Sequence, residues 1–149
     1  MRRVLIKHTI ICLLSVAWPL AARADIAVIV HPDNPVQSMT PREVSNLYLG
    51  RARSFSADSH GTPLPASVYE QPADSGVREI FFRTLNGMDI KQLNAYWARL
   101  RFSGEVLPPA ILPDSRAVVE TVSRKRSAIG YVDAAAVNSA VKVVLRLKE

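Results

Sequence analysis

The stretch QPADSGVREIFF, residues 71–82, holds the residue types best suited to binding chemistry. Asp74, Ser75 and Gly76 are turn-prone and lead straight into an apolar run with helical spacing. The first N–H groups of a helix have no intrahelical partner, and the positive end of the helix dipole points outward there. Gly76 lets a ligand approach the backbone closely. Ser75 adds a hydroxyl, and Arg78 adds a cation one turn in. With the Val77 N–H, these parts suit a small oxyanion such as phosphate or sulfate. The same residues also make an ordinary helix start, capped by Ser75 or Asp74. The Asp74 carboxylate would itself occupy the positive end.

Other constellations are scarce. Beyond residue 24 there are two histidines, His31 and His60, far apart in sequence. His31 precedes a proline at a strand end and reads as a turn residue; His60 lies in a polar loop and reads as exposed. No metal-ligand spacing, nucleophile elbow or phosphate loop occurs, so no catalytic residue, metal or cofactor is assigned. The only basic run, residues 124–126, falls at a helix C-terminus, where cations favour the dipole. Trp97 shares its helical spacing with Leu93 and Leu100 and reads as core.

These residues need elements to position them. Residues 26–30 are a continuous apolar, β-branched run and predict a buried strand. Thr40, Pro41 and Glu43 predict a helix start with a capping box, and Gly50 predicts its end. Residues 51–63 are polar and broken and predict a surface loop; residues 64–69 predict a second strand. The helix after Ser75 would bury Val77, Ile80, Phe81 and Leu85 and end at Gly87. A further helix spans 90–102, with Leu93, Tyr96, Trp97 and Leu100 on one face. A proline-rich crossing loop follows. Asp114 caps a helix carrying Val118, Val119 and Val122. Residues 128–132 predict a strand, 133–138 a helical turn and 141–147 a last strand. This alternation predicts one α/β domain, a central mixed sheet flanked by helices.

The first 24 residues read differently. Arg2, Arg3 and Lys7 precede a short apolar run, and Ala22-Arg23-Ala24 is a small-residue cleavage signal. This pattern predicts a secretory signal peptide over 1–24, a folded domain over 25–149 and a periplasmic location. The full chain carries +6, but four of its 19 basic residues and none of its 13 acidic ones lie in the leader. The remainder is only weakly basic, which gives no warrant for a nucleic-acid partner. The single cysteine, Cys12, is also in the leader. An exported domain without disulfides must rest on its core, and a chain this long buries roughly two-thirds of its unfolded surface.

Three segments in order carry a resemblance to a known family: IAVIVHPDNPVQSMTPREVSNLYLG, YEQPADSGVREIFF and SAIGYVD. Together they resemble the phosphate-binding proteins of bacterial ABC uptake systems, which are type II periplasmic binding proteins. The resemblance implies a fold like one lobe of such a protein. In that family a Ser-Gly-Thr segment holds phosphate oxygens and a preceding Arg pairs with them. Ser75 and Gly76 match by position. Val77 stands where Thr is usual, and Gln71 where the Arg is usual. A neutral amide does not replace a bidentate guanidinium, which leaves Arg78 as a substitute cation.

Two functions are implied. In the first, a solute-binding-like protein holds phosphate or a related oxyanion at Ser75, Gly76 and Val77, with Arg78 or Gln71 assisting. A second copy of the chain, or a transporter or other envelope protein, would then close the site. In the second, the chain is an interaction or sensory module of the cell envelope that keeps the fold but not tight anion binding. Neither is an enzyme.

Overall fold

The computed structural model describes residues 25–55, 61–104 and 106–149. The leader assigned to 1–24 and His60 lie outside the described residues. The elements are β1 (Ile26–Val30), α1 (Pro41–Tyr48), β2 (Ser67–Glu70), α2 (Gly76–Asn86), α3 (Ile90–Ser103), β3 (Ala110–Ile111), α4 (Ser115–Arg124), β4 (Ala128–Asp133) and β5 (Lys142–Leu147), with a 3-10 turn at Ala134–Ala136.

Local chemistry explains the helix boundaries. Thr40 and Glu43 close the expected capping box on α1, and Gly50 takes φ 68° just beyond its end. Ser75 caps α2 and Gly87 ends it in the left-handed region; Asp114 caps α4 by accepting from Ala117 N at 2.8 Å. Asp89 and Gln92 form a second capping box on α3.

The sheet is mixed, in the order β3-β2-β4-β1-β5. β1 runs antiparallel to both β4 and β5, whereas β2 is parallel to β3 and β4. All five residues of β1 are buried, because both sheet faces are covered. Ile26, Val28 and Val30 point to the face under α1, α2 and α3; Ala27 and Ile29 point to α4. The period of two in the strand thus divides one apolar run between two cores.

Three expectations need correction. The surface loop expected at 51–63 is partly core: Phe55 is 2% exposed. It is held there by a short antiparallel clasp, Phe55 N to Leu64 O and Ala66 N to Arg53 O, both at 2.9 Å. The second strand is correspondingly shorter than 64–69. Pro65 has no N–H to give a ladder, so pairing with β4 starts at Ser67. The crossing loop also contains β3, whose Ala110 and Ile111 pair with Tyr69 and Glu70.

Gly130 fixes how closely α4 approaches the sheet. A Cβ there would overlap Val118 Cγ1 and lie 3.4 Å from Val122 Cγ2. Gly130→Ala is expected to lower stability by about 1–3 kcal/mol through overpacking. Adding Val118→Ala should recover part of that loss in chemical denaturation; equal losses in the single and double variants would show that contact with Val118 is not the cause.

Candidate functional site

Parallel strands β2 and β4 end side by side, and their C-terminal ends deliver the functional residues. Beyond β2 the chain reaches Gln71 and then the start of α2; the start of α4 lies beside them. Ligands in open α/β sheets gather at this end, outside the carboxyl ends of the strands.

Gln71 is 3% exposed and links the elements. Its backbone N–H donates to the Tyr131 hydroxyl at 3.1 Å. Its side-chain Nε2 donates to Ser115 Oγ at 3.0 Å and to the Tyr131 carbonyl at 3.1 Å. Its Oε1 accepts from Ser75 Oγ at 2.9 Å. Glutamine can do this because its amide both donates and accepts; an arginine at this position could not accept the serine proton. Burial pushes the Tyr131 phenol pKa well up, so it stays neutral as a partner for Gln71. Ser115 Oγ also accepts from Asp133 N at 3.3 Å, tying the start of α4 to the end of β4.

The Ser75 hydroxyl is therefore engaged on both sides. It donates to Gln71 and accepts from Arg78 N at 3.4 Å. Glu79 N goes to Ser75 O. The first-turn N–H groups left without an intrahelical acceptor are those of Gly76 and Val77. Gly76 is exposed, Val77 half-buried, and the space around Gly76 is open. The start of α2 thus opens outward, with Asp74 exposed beside it.

The structure brings Ser75, Gly76, Val77 and Gln71 together and sends the Arg78 side chain elsewhere. Arg78 is 7% exposed and turns under α2, where Nε donates to Glu70 in a buried ion pair. Its guanidinium lies 5.7 Å from the Phe82 ring centroid. Burial raises the Glu70 pKa, and the hydrogen bond from Arg78 pulls the other way. The direction of Arg78 has a sequence clue: an acidic residue at the end of a strand, Glu70, needs a cation where it is buried. Ser115 and Tyr131 carry no such signal, since only the fold sets them beside Gln71.

The remaining candidates have ordinary partners. His31 Nδ1 accepts from Asp33 N at 3.0 Å within its turn. In the basic run, Arg124 pairs with Glu120, Lys125 donates to the Tyr69 hydroxyl and Arg126 donates to Asp33 O. Trp97 is core at 5% exposure. Among the described residues no cluster of His, Cys, Asp or Glu could hold a metal, and no helix is long and apolar enough to cross a membrane.

No protein-family model matches the sequence, and neither does any curated protein. Solved structures do match. One is a Clostridium perfringens protein assigned as a phosphate ABC transporter substrate-binding protein and solved with bound phosphate. It superposes with a TM-score of 0.63 at 23% identity, over 81% of this chain and 45% of its own. An ABC-type phosphate transport receptor from Vibrio cholerae gives 0.61 at 19%, over 81% and 46%. PstS from Borrelia burgdorferi gives 0.57 at 13%, over 82% and 47%. The chain spans less than half the length of each of these proteins. At such identities the likeness is one of fold: a mixed five-stranded sheet between helices, with the architecture of one lobe of a phosphate-binding-protein-like structure.

Proposed function

We propose that the chain is a solute-binding-like protein of the cell envelope that meets phosphate or a similar small oxyanion at the start of α2. The observation that carries this reading is the outward-facing N-terminus of α2, with the Gly76 and Val77 N–H groups left without an intrahelical acceptor, on a fold shared with proteins named for phosphate transport. The leader at 1–24 would export it to the periplasm. Its neighbours in fold are named as binding proteins and receptors, which supports a binding role over an enzymatic one.

Magnitudes set how tightly such a site can bind. A helix N-terminus contributes about 0.3–1 kcal/mol toward an exposed anion, and ~2 kcal/mol when partly buried. Micromolar affinity needs about 8 kcal/mol. Gln71 already occupies the Ser75 hydroxyl, and Arg78 is committed to Glu70. The isolated chain should therefore bind no better than millimolar, and tighter binding needs a second surface, a homodimer partner or an envelope protein, to desolvate the anion. Phosphate titration followed by amide NMR should move Gly76 and Val77 first. Ser75→Asp, which places a carboxylate at the positive helix end, should abolish the shift while the protein stays folded. No change at those amides in millimolar phosphate, with Ser75 intact, would sink this reading.

A specific feature favours a second reading, an interaction or sensory module. Phe102 on α3, Leu107 in the crossing loop and Ile111 on β3 are 94%, 88% and 65% exposed. Capture of an envelope partner that survives Ser75→Asp would separate this role from anion binding.

A further inference from the structure

The outward side of α3 is defined by what the helix buries. Leu93 and Trp97 are buried, and Tyr96 and Leu100 pack against the same core, which fixes the inward side. Lys91, Ala95, Ala98 and Phe102 recur at intervals of four, three and four residues, so they share the opposite side, and all are exposed. Phe102 is 94% exposed at the C-terminal end of this stripe. Arg99 and Arg101, both exposed, flank it.

The charge of this face is of one sign. No acidic residue occurs between Ile90 and Ser103. In α2 and α4, by contrast, an arginine meets a glutamate one turn away, Arg83 with Glu79 and Arg124 with Glu120. Among the described residues, Lys91, Arg99 and Arg101 pair with no carboxylate. Arg51, just beyond α1, adds a further cation: its guanidinium lies 6.0 Å from the Tyr96 ring centroid, and that of Arg99 lies 5.8 Å from the same ring. Cations gathered without counter-charges create a positive field that favours an anionic partner.

The nature of the face narrows that partner. A second copy would set cations against cations. A specific protein interface buries about 1,200–2,000 Å² around a core depleted in charge, lysine above all. Here a single projecting ring stands among alanines and cations. An anionic bilayer is fluid and needs no matching pocket: its headgroups meet the cations while an aromatic ring enters the acyl boundary. We propose that the outward side of α3 docks on an anionic phospholipid membrane, with Lys91, Arg99 and Arg101 on the headgroups and Phe102 inserted. This rests on the second reading above and names a lipid surface as the envelope partner.

The test is cosedimentation of the exported protein, recovered from the envelope fraction, with vesicles of phosphatidylglycerol and phosphatidylcholine. All variants share its N-terminus, so the leader cannot account for a difference between them. The protein should bind these vesicles and not pure phosphatidylcholine, and binding should decline as sodium chloride is raised. Phe102→Ser should weaken binding about tenfold, through loss of the inserted ring. Lys91→Gln and Arg99→Gln should each weaken it about fivefold. All three positions are exposed, so circular dichroism should show an unchanged fold. Phosphate replacing chloride at constant ionic strength should not release the vesicles, which separates this surface from the start of α2. Absent binding to anionic vesicles, or equal binding by all the variants, would overturn the proposal. A protein partner or a homodimer lost on Phe102→Ser, without vesicle binding, would also overturn it and leave the second reading standing.

Discussion

Arg78→Met is expected to lower unfolding free energy by about 3–5 kcal/mol, because it leaves Glu70 buried with its charge unpaired. Both side chains of the pair are under 10% exposed, so solvent does little to screen the loss. The contact of the guanidinium with the Phe82 ring disappears as well. The deficit should depend on pH in a stated direction. Burial already holds the Glu70 pKa above its usual value, and only the hydrogen bond and charge of Arg78 act against it. Without Arg78 the folded-state pKa rises further. Below the ordinary carboxylate range Glu70 is protonated in both folded and unfolded chains, and the contribution of the group to stability is fully present. As pH rises the unfolded chain ionises more readily than the folded one, and that contribution is lost through the raised folded pKa. Urea unfolding at pH about 4 and pH about 7 tests this. The loss in Arg78→Met should be larger at neutral pH. A loss that grows on acidification would contradict the account. The double variant Glu70→Leu with Arg78→Met should recover much of the stability, since a buried ion pair is commonly replaced by apolar side chains at little cost.

Phe81→Ala should cost about 3–5 kcal/mol, the usual range for removing a buried phenylalanine. Phe81 is fully buried and stacks on Tyr131 with ring centroids 3.9 Å apart and planes within 9°. It also meets Tyr48 at 4.8 Å and Phe82 at 5.0 Å, both edge to face. These rings join α1, α2 and β4, so the void opens where three elements meet. Total stability for a domain is about 5–15 kcal/mol, and the substitution would remove a large share of it. The effect should reach Gln71, because the Tyr131 hydroxyl that Phe81 helps to hold is the acceptor for Gln71 N. Phe81→Leu keeps most of the volume and should cost much less; denaturation midpoints of the two variants separate volume from ring stacking. Equal losses would show that the aromatic geometry, worth about 0.5–1.5 kcal/mol per pair, dominates over the void.

The arginine and the phenylalanine differ in how legible they are. Phe81 is predicted as core by its helical spacing with Val77, Ile80 and Leu85, and it is core. Arg78 is one residue from Val77 on the same helix, yet it is buried while Val77 is only half-buried. Its placement depends on Glu70, which lies eight positions earlier at the end of β2. Periodicity cannot state that dependence, because it ranks residues by polarity and has no place for a charge matched by another charge inside.

The same division runs through the fold. Thr40, Ser75 and Asp114 each cap a helix through a bond that closes within three residues, and short local bonds of that kind are written in adjacent letters. The apolar run of β1 likewise announces a strand covered on both faces. The edge strand β3 is only two residues long and exposed, with no alternation to reveal it; pairing with Tyr69 and Glu70 defines it. Phe55 enters the core through a clasp made with Leu64, across a stretch whose composition is that of a loop. At the site, the sequence by itself determined a capped helix whose first N–H groups could meet an anion. Only the tertiary structure decided that Gln71 accepts the hydrogen bond of the Ser75 hydroxyl and that Arg78 turns to Glu70. The acceptors of the Gln71 side-chain amide lie 44 and 60 residues away, and a long polar side chain, once desolvated, takes its direction from whichever acceptor or donor the fold sets within reach.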